Sequence, residues 1–322
     1  MKHIVLTLVI ASFNAQNRVD AADFIVPTVQ QRAGAVGKID ALPAPLKRAF
    51  ADDVRLFAPI PAPTGNDWLA QHLEQGQTYD QFTTSGPPRP SQRRSTLYFL
   101  PVGDFAPETA PSLAKLSEFA SAFFGMKVSI LPSVPVEKVP ARTRINSQTK
   151  NHQILSTDVL AWLLNQIPRD GFSVIAITMT DLYPKESWNF VFGQASLQDR
   201  TGVFSFARYD PTFYGQARDS GFQRLMLQRS AKVLAHETGH MFGIKHCIYF
   251  RCLMNGANHL REDDACPLRL CPVCLRKLHS SIGFDIVQRE SNLLNFFKGN
   301  SLVEEATWSE NRLKQLVGPG SN

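Results

Sequence analysis

The chain reads as an α/β protein organised around a mixed, mostly parallel sheet, and three observations carry that reading. Strand-like and helix-like segments alternate from residue 94 onward. The stretch "FSVIAITMTDL" (172–182) is apolar enough to be a central strand with both faces covered. A long helix, from about Gln223 to Phe242, follows the last pair of strands.

Taken in order, residues 22–93 are proline-rich and broken in pattern ("LPAPLKRAF", "FAPIPAPTG", "TSGPPRPSQRR"), which predicts a lead-in wrapping the main domain, with a short helix near 42–50. "STLYFLPV" (95–102) is a short apolar strand, and "SLAKLSEFASAFFG" (112–125) has helical spacing with a closing glycine. "MKVSILPSVPV" (126–136) reads as a second strand. "STDVLAWLLNQI" (156–167) opens on a capping signal and continues as an amphipathic helix. "NFVFGQASL" (189–197) and "GVFSFARY" (202–209) are strands around a polar turn, expected to supply the antiparallel member at a sheet edge. By alternation Phe190, Phe192, Phe204 and Phe206 face the core. Helical spacing returns from Ile282 to Lys298. The organisation expected is therefore a lead-in over 22–93, a domain over 94–299 and a C-terminal tail over 300–322.

Hydrophobic residues make up 43% of the chain and charged residues 19%, ordinary for a globular protein, and no apolar run is long enough to span a bilayer. The net charge of +6 is spread along the chain, with only "SQRRS" (91–95) as a tight group, so a nucleic-acid footprint is not expected. At the N-terminus, Lys2, the apolar run Ile4–Phe13 and the small-residue pattern Val19-Asp20-Ala21 predict a signal peptide over 1–21. That makes the protein secreted or periplasmic; without cleavage the expectation is cytoplasmic.

The chemistry concentrates in "HETGHMFGIKHC" (236–247). His236 and His240 stand four apart, one above the other on one helix face, and can take two positions around one zinc. Glu237 is turned about 100° around the axis, so it flanks the metal and suits a base for a metal-activated water. Gly243 can adopt the left-handed conformation that ends a helix, and the turn it permits brings His246 back as third ligand. Leu227, Leu234 and Met241 form an apolar line nearly opposite His236 that anchors the helix in the core.

All five cysteines lie between 247 and 274. Cys247 and Cys252 form one pair and Cys271 and Cys274, in "LCPVCL", a knuckle; together they predict a closed four-thiolate zinc site with a structural role, stabilising a small C-terminal subdomain. Disulfides are the rival reading, and Cys266 is expected to be a bystander. Two zinc ions per chain are thus expected, one catalytic and one structural.

These motifs, with "CLM" (252–254), "DLYPKESWNFVFGQASL" (181–197) and "GVFSFARY", resemble the archaemetzincins, a family of zinc metallopeptidases, and the vertebrate-type members in particular. The resemblance covers about residues 40–290. It implies a metzincin fold, with sheet and active-site helix above and a small lower part after the glycine. It also implies that Met254 is the methionine of the Met-turn, and that a peptide substrate adds as a strand along 189–197 or 202–209.

The expected function is hydrolysis of peptide bonds in a peptide or protein substrate, with Glu237 as general base and aminopeptidase-like action one form of it. A non-catalytic zinc module that binds peptides is the alternative; a carboxylate beside an open metal argues against it. A monomer is the expected state.

Overall fold

A computed structural model describes residues 5–10 and 24–318 of the chain. The possible cleavage point at Val19–Ala21 lies outside them. Among the described residues no helix is long and apolar enough to cross a membrane.

A strand β1 (Val5–Ile10) precedes four short helices of the lead-in: α1 (Val29–Val36), α2 (Ala44–Phe50), α3 (Trp68–Gln71) and α4 (Tyr79–Thr84). α1 and α4 each open on a threonine capping box. Then come β2 (Thr96–Val102), α5 (Leu113–Phe124), β3 (Lys127–Ile130), β4 (Thr143–Ile145), β5 (His152–Leu155), α6 (Ser156–Leu163), β6 (Gly171–Thr178), β7 (Asp181–Tyr183), β8 (Phe190–Ser196) and β9 (Thr201–Ser205). The long helix α7 (Phe222–Met241) follows, then α8 (Leu260–Ala265), α9 (Pro272–Ile282), α10 (Ile286–Gly299) and α11 (Val303–Val317).

The sheet runs β3-β2-β6-β9-β8-β7-β5-β4. β3, β2, β6 and β9 pair in parallel, as do β7 and β5, while β8 and β4 run against them. The mostly parallel sheet is therefore present. The antiparallel strand, however, does not end it: β8 lies inside, with β9 on one side and β7 on the other, and this path of strands ends at β3 and β4. β1 also runs antiparallel along β8, from Val5 opposite Ser196 to Ile10 opposite Phe190.

That correction follows from a break in the expected strand 172–182. β6 stops at Thr178, whose Oγ1 accepts a hydrogen bond from the Thr180 amide at 3.0 Å. The chain bends and resumes as β7 beyond β8. There Asp181, 2% exposed, accepts two hydrogen bonds from buried Arg208 at 2.8 and 2.7 Å and one from Gln153 Nε2 at 2.7 Å. A buried carboxylate needs such partners, so β7 is pinned where they are. β3 likewise ends at Ile130, two residues before Pro132, which has no amide proton to continue the ladder.

β6 is buried at all eight positions and serves two cores. Phe172, Ile175 and Ile177 join the larger one, beneath α5, α7 and α10; Val174 and Ala176 join the smaller one with Val159, Leu160 and Leu163 of α6. Phe190, Phe192, Phe204 and Phe206 are all buried in the larger core, as is the line Leu227, Leu234 and Met241 of α7. Within what the sequence leaves as a C-terminal tail, α11 packs on α10 and α2. The guanidinium of Arg48 on α2 donates to the Leu316 carbonyl at 2.7 Å.

Candidate metal centre

α7 lies against β8 and β9 and carries His236, Glu237 and His240, all at most 3% exposed. At its end the Gly243 amide donates to the His240 carbonyl (2.8 Å) and the Ile244 amide to the Gly239 carbonyl (3.3 Å). This crossed pair is the Schellman arrangement, and it demands the left-handed backbone that Gly243 adopts at φ +81°. The chain turns back, and the His246 ring centroid comes 5.3 Å from that of His236 and 5.1 Å from that of His240, which are themselves 4.6 Å apart.

Each ring is held by its Nδ1. His236 Nδ1 lies 2.8 Å from the Leu253 carbonyl, His240 Nδ1 2.6 Å from the Ile244 carbonyl, and His246 Nδ1 2.8 Å from Glu74 Oε1. A carbonyl only accepts, so Nδ1 of both helical histidines carries the proton and Nε2 of the neutral ring carries a lone pair. Burial, and then the neighbouring imidazoles, hold both helical histidines neutral: His236 is pushed down to about 3 and His240 well below its usual value. Yet His236 Nε2 and His240 Nε2 stand only 2.9 Å apart, and His246 Nε2 is buried without a partner. Facing lone pairs repel, and a cation between them removes the conflict. A tetrahedral zinc with Zn–N bonds of about 2.1 Å spaces its nitrogens by about 3.4 Å, so these three donors fit one ion after a small opening.

Glu237 is fully buried and both its carboxylate oxygens lack partners, and burial pushes its carboxyl well above the usual range. It faces β8, where a Cβ on Gly193 would lie 2.7 Å from Glu237 Oε1. Only glycine lets the strand pass so close. Beneath the helix, a Cβ on Gly239 would lie 2.6 Å from Met254 Sδ, so Met254 sits flush against the backbone between His236 and His240. That is the floor position implied for it by the resemblance.

A second cluster lies alongside. The sulfurs of Cys247, Cys252, Cys271 and Cys274 are all within 4.8 Å of one another, and all four residues are buried. Cys247 Sγ and Cys271 Sγ are 3.6 Å apart, too far for a disulfide at about 2.05 Å and close to the roughly 3.8 Å edge of a four-thiolate zinc with Zn–S of about 2.3 Å. Cys252 Sγ accepts from the Met254 amide at 3.5 Å and the Cys271 amide at 3.3 Å, and Cys271 stands at the N-cap position of α9. The amide donors and the helix N-terminus act in favour of thiolates, against burial, which pushes the Cys252 and Cys271 thiols up in the absence of a metal. None of the five cysteines is in a disulfide, and Cys266 lies outside the cluster. His246 and Cys247, though adjacent, thus belong to different groups.

Sequence reasoning missed Glu74, Trp68 and Gly193. A glycine inside a strand pattern is a known mark of close approach, so Gly193 had a signal. Glu74 had none, being one acid among several in an irregular stretch. The expectation that 202–209 is a free edge also falls: β9 is paired on both sides, and its last residues form a 3-10 turn at Ala207–Tyr209.

Residues 152–280 match peptidase family M54. The chain is 39% identical over 284 residues to archaemetzincin-2 of Macaca fascicularis, covering 80% of this chain and 79% of that one. Human archaemetzincin-1 is 32% identical over 276 residues, 77% of this chain and 55% of that one. An archaemetzincin of Methanopyrus kandleri, known as a crystal structure, aligns at 27% identity with a TM-score of 0.45 over 60% of this chain and 97% of its own.

Proposed function

Since the chain belongs to peptidase family M54, the archaemetzincins, and is a zinc metallopeptidase, we propose that His236, His240 and His246 hold the catalytic zinc and that Glu237 is the general base. The observation that carries this reading is the convergence of three Nε2 atoms, each ring fixed through its Nδ1, beside a buried carboxylate with no other partner. Zinc bound there supplies a Lewis acid for the scissile carbonyl and makes water nucleophilic near neutral pH.

The chain's own residues do the rest. Glu237 accepts the proton of the attacking water and returns it to the leaving amine. Burial raises its proton affinity, and a dication held by the neighbouring histidines would oppose that rise. Gly193 and Met254 confine the carboxylate and the histidine pair from strand and floor respectively. Because β8 is paired with β9, β7 and β1, a peptide substrate adding to it as a strand would have to take the place of β1.

Cys247, Cys252, Cys271 and Cys274 hold, in the same reading, a second and structural zinc. Four thiolates close the coordination shell and leave no position for water, so this ion ties α9 to the segment after the third histidine.

The test is Glu237→Gln. The amide keeps the shape and cannot take a proton, so zinc content should be unchanged while kcat on a peptide substrate falls by about 10²- to 10⁴-fold. A variant with full zinc and undiminished kcat would remove Glu237 from the mechanism.

A further inference from the structure

The three imidazoles are not supported alike. His236 and His240 are carried on one helix and bonded to carbonyls of the motif's own segment, Leu253 and Ile244. His246 follows the Gly243 turn in a stretch with no helix or strand to fix its ring. Its Nδ1 partner is a carboxylate 172 residues earlier in the chain, Glu74.

We propose that Glu74 is the positioning residue of the third ligand: its carboxylate fixes the tautomer and orientation of His246, so that the stretch before the first core strand completes the metal centre. The proposal rests on the reading of His246 as a zinc ligand. A proton held on Nδ1 by a carboxylate leaves Nε2 as the donor atom. The charge of that carboxylate also makes the imidazole a stronger donor than a carbonyl partner would, because charge-assisted hydrogen bonds polarise the ring more.

The surrounding stretch is built to hold Glu74 in place. Trp68 packs edge-on against His246 with centroids 5.1 Å apart and lies 3.9 Å from the His72 ring. The space for that indole exists because residue 256 is glycine: a Cβ there would come within 2.5 Å of Trp68. Three residues beyond Glu74, Gln77 donates from Nε2 to the Gly243 carbonyl (3.2 Å) and accepts from the Lys245 amide (3.2 Å). Lys277 of α9 in turn donates to the Gln77 carbonyl. Residues 68–77 therefore pack on the His246 ring and bond the turn that precedes it. A contact that served only to dock the lead-in would have no need to end on the ring nitrogen of this histidine.

The experiment compares full-length Glu74→Gln and Glu74→Ala with the parent, measuring zinc affinity of the histidine site by chelator competition while the four-cysteine site stays loaded. Melting temperatures of the same samples without zinc in the histidine site are recorded beside it. The expected result is an affinity 10- to 100-fold lower, with Ala worse than Gln, and little change in the zinc-free melting temperature. Cobalt substituted at the site should show an altered ligand-field spectrum. Glu74→Gln keeps the shape and decides the matter if Glu74→Ala does not fold: affinity within twofold of the parent, with or without a lower melting temperature, overturns the proposal. His246→Ala separates the two levels. If it leaves zinc affinity unchanged, the ligand assignment itself has failed, and not merely the role of Glu74.

Discussion

Gly193→Ala should separate stability from catalysis. The Cβ of the new residue would lie 2.7 Å from Glu237 Oε1 and 2.9 Å from both Cδ and Cγ, where ordinary contact begins at 3.4 Å. Something must move by about 0.7 Å. β8 is laddered to β9 through Gly193 opposite Phe204, so the strand resists and the Glu237 side chain yields. A general base works within about 2.6–3.2 Å of the atom that carries the proton, and a misplacement near 1 Å costs about 10²-fold. The expected loss in kcat is therefore about 30- to 100-fold, or about 2–3 kcal/mol of barrier. The backbone loses nothing, because Gly193 does not have a positive φ and alanine in a strand is favoured over glycine by about 0.5–1 kcal/mol. Peptide hydrolysis, zinc content and a thermal melt on one preparation read all three quantities. If the variant hydrolyses within threefold of the parent with zinc in place, Glu237 is not the group crowded by β8 and the catalytic reading loses its geometry.

Gly243→Ala places a Cβ at φ +81° and 3.1 Å from Pro87 Cβ, and the left-handed conformation alone costs about 1–2 kcal/mol. Denaturant unfolding should show that loss, with weaker zinc binding at the histidine site because His246 depends on the turn; unchanged midpoint and affinity would count against the Schellman geometry. Cys271→Ser should lower bound zinc from two ions per chain to one and depress the melting temperature while hydrolysis is largely retained. Two ions still bound by metal analysis would refute the four-thiolate site.

The site was legible to the extent that it is local. His236 and His240 share a helix face by periodicity with Glu237 flanking it, and Gly243 carries the one conformation that lets His246 return. The Cys271–Cys274 knuckle has its geometry written into two intervening residues. Such features depend on backbone rules that act over a single turn, and folding preserved them.

Tertiary packing decided the rest. That β6 breaks at Thr178 and β7 continues beyond β8 depends on Asp181 finding Arg208 and Gln153, partners 27 and 28 residues away. That α11 packs on α2 depends on contacts between opposite ends of the chain, such as that of Arg48 with the Leu316 carbonyl 268 residues later. That Glu74 meets His246 depends on the path of an irregular stretch with no periodicity to read. Periodicity and glycine dihedrals are short-range properties, each encoded where it acts. Strand order and the partner of a ring nitrogen are set by which distant surfaces bury together and by the requirement that buried charge be paired, and only the assembled fold resolves that competition.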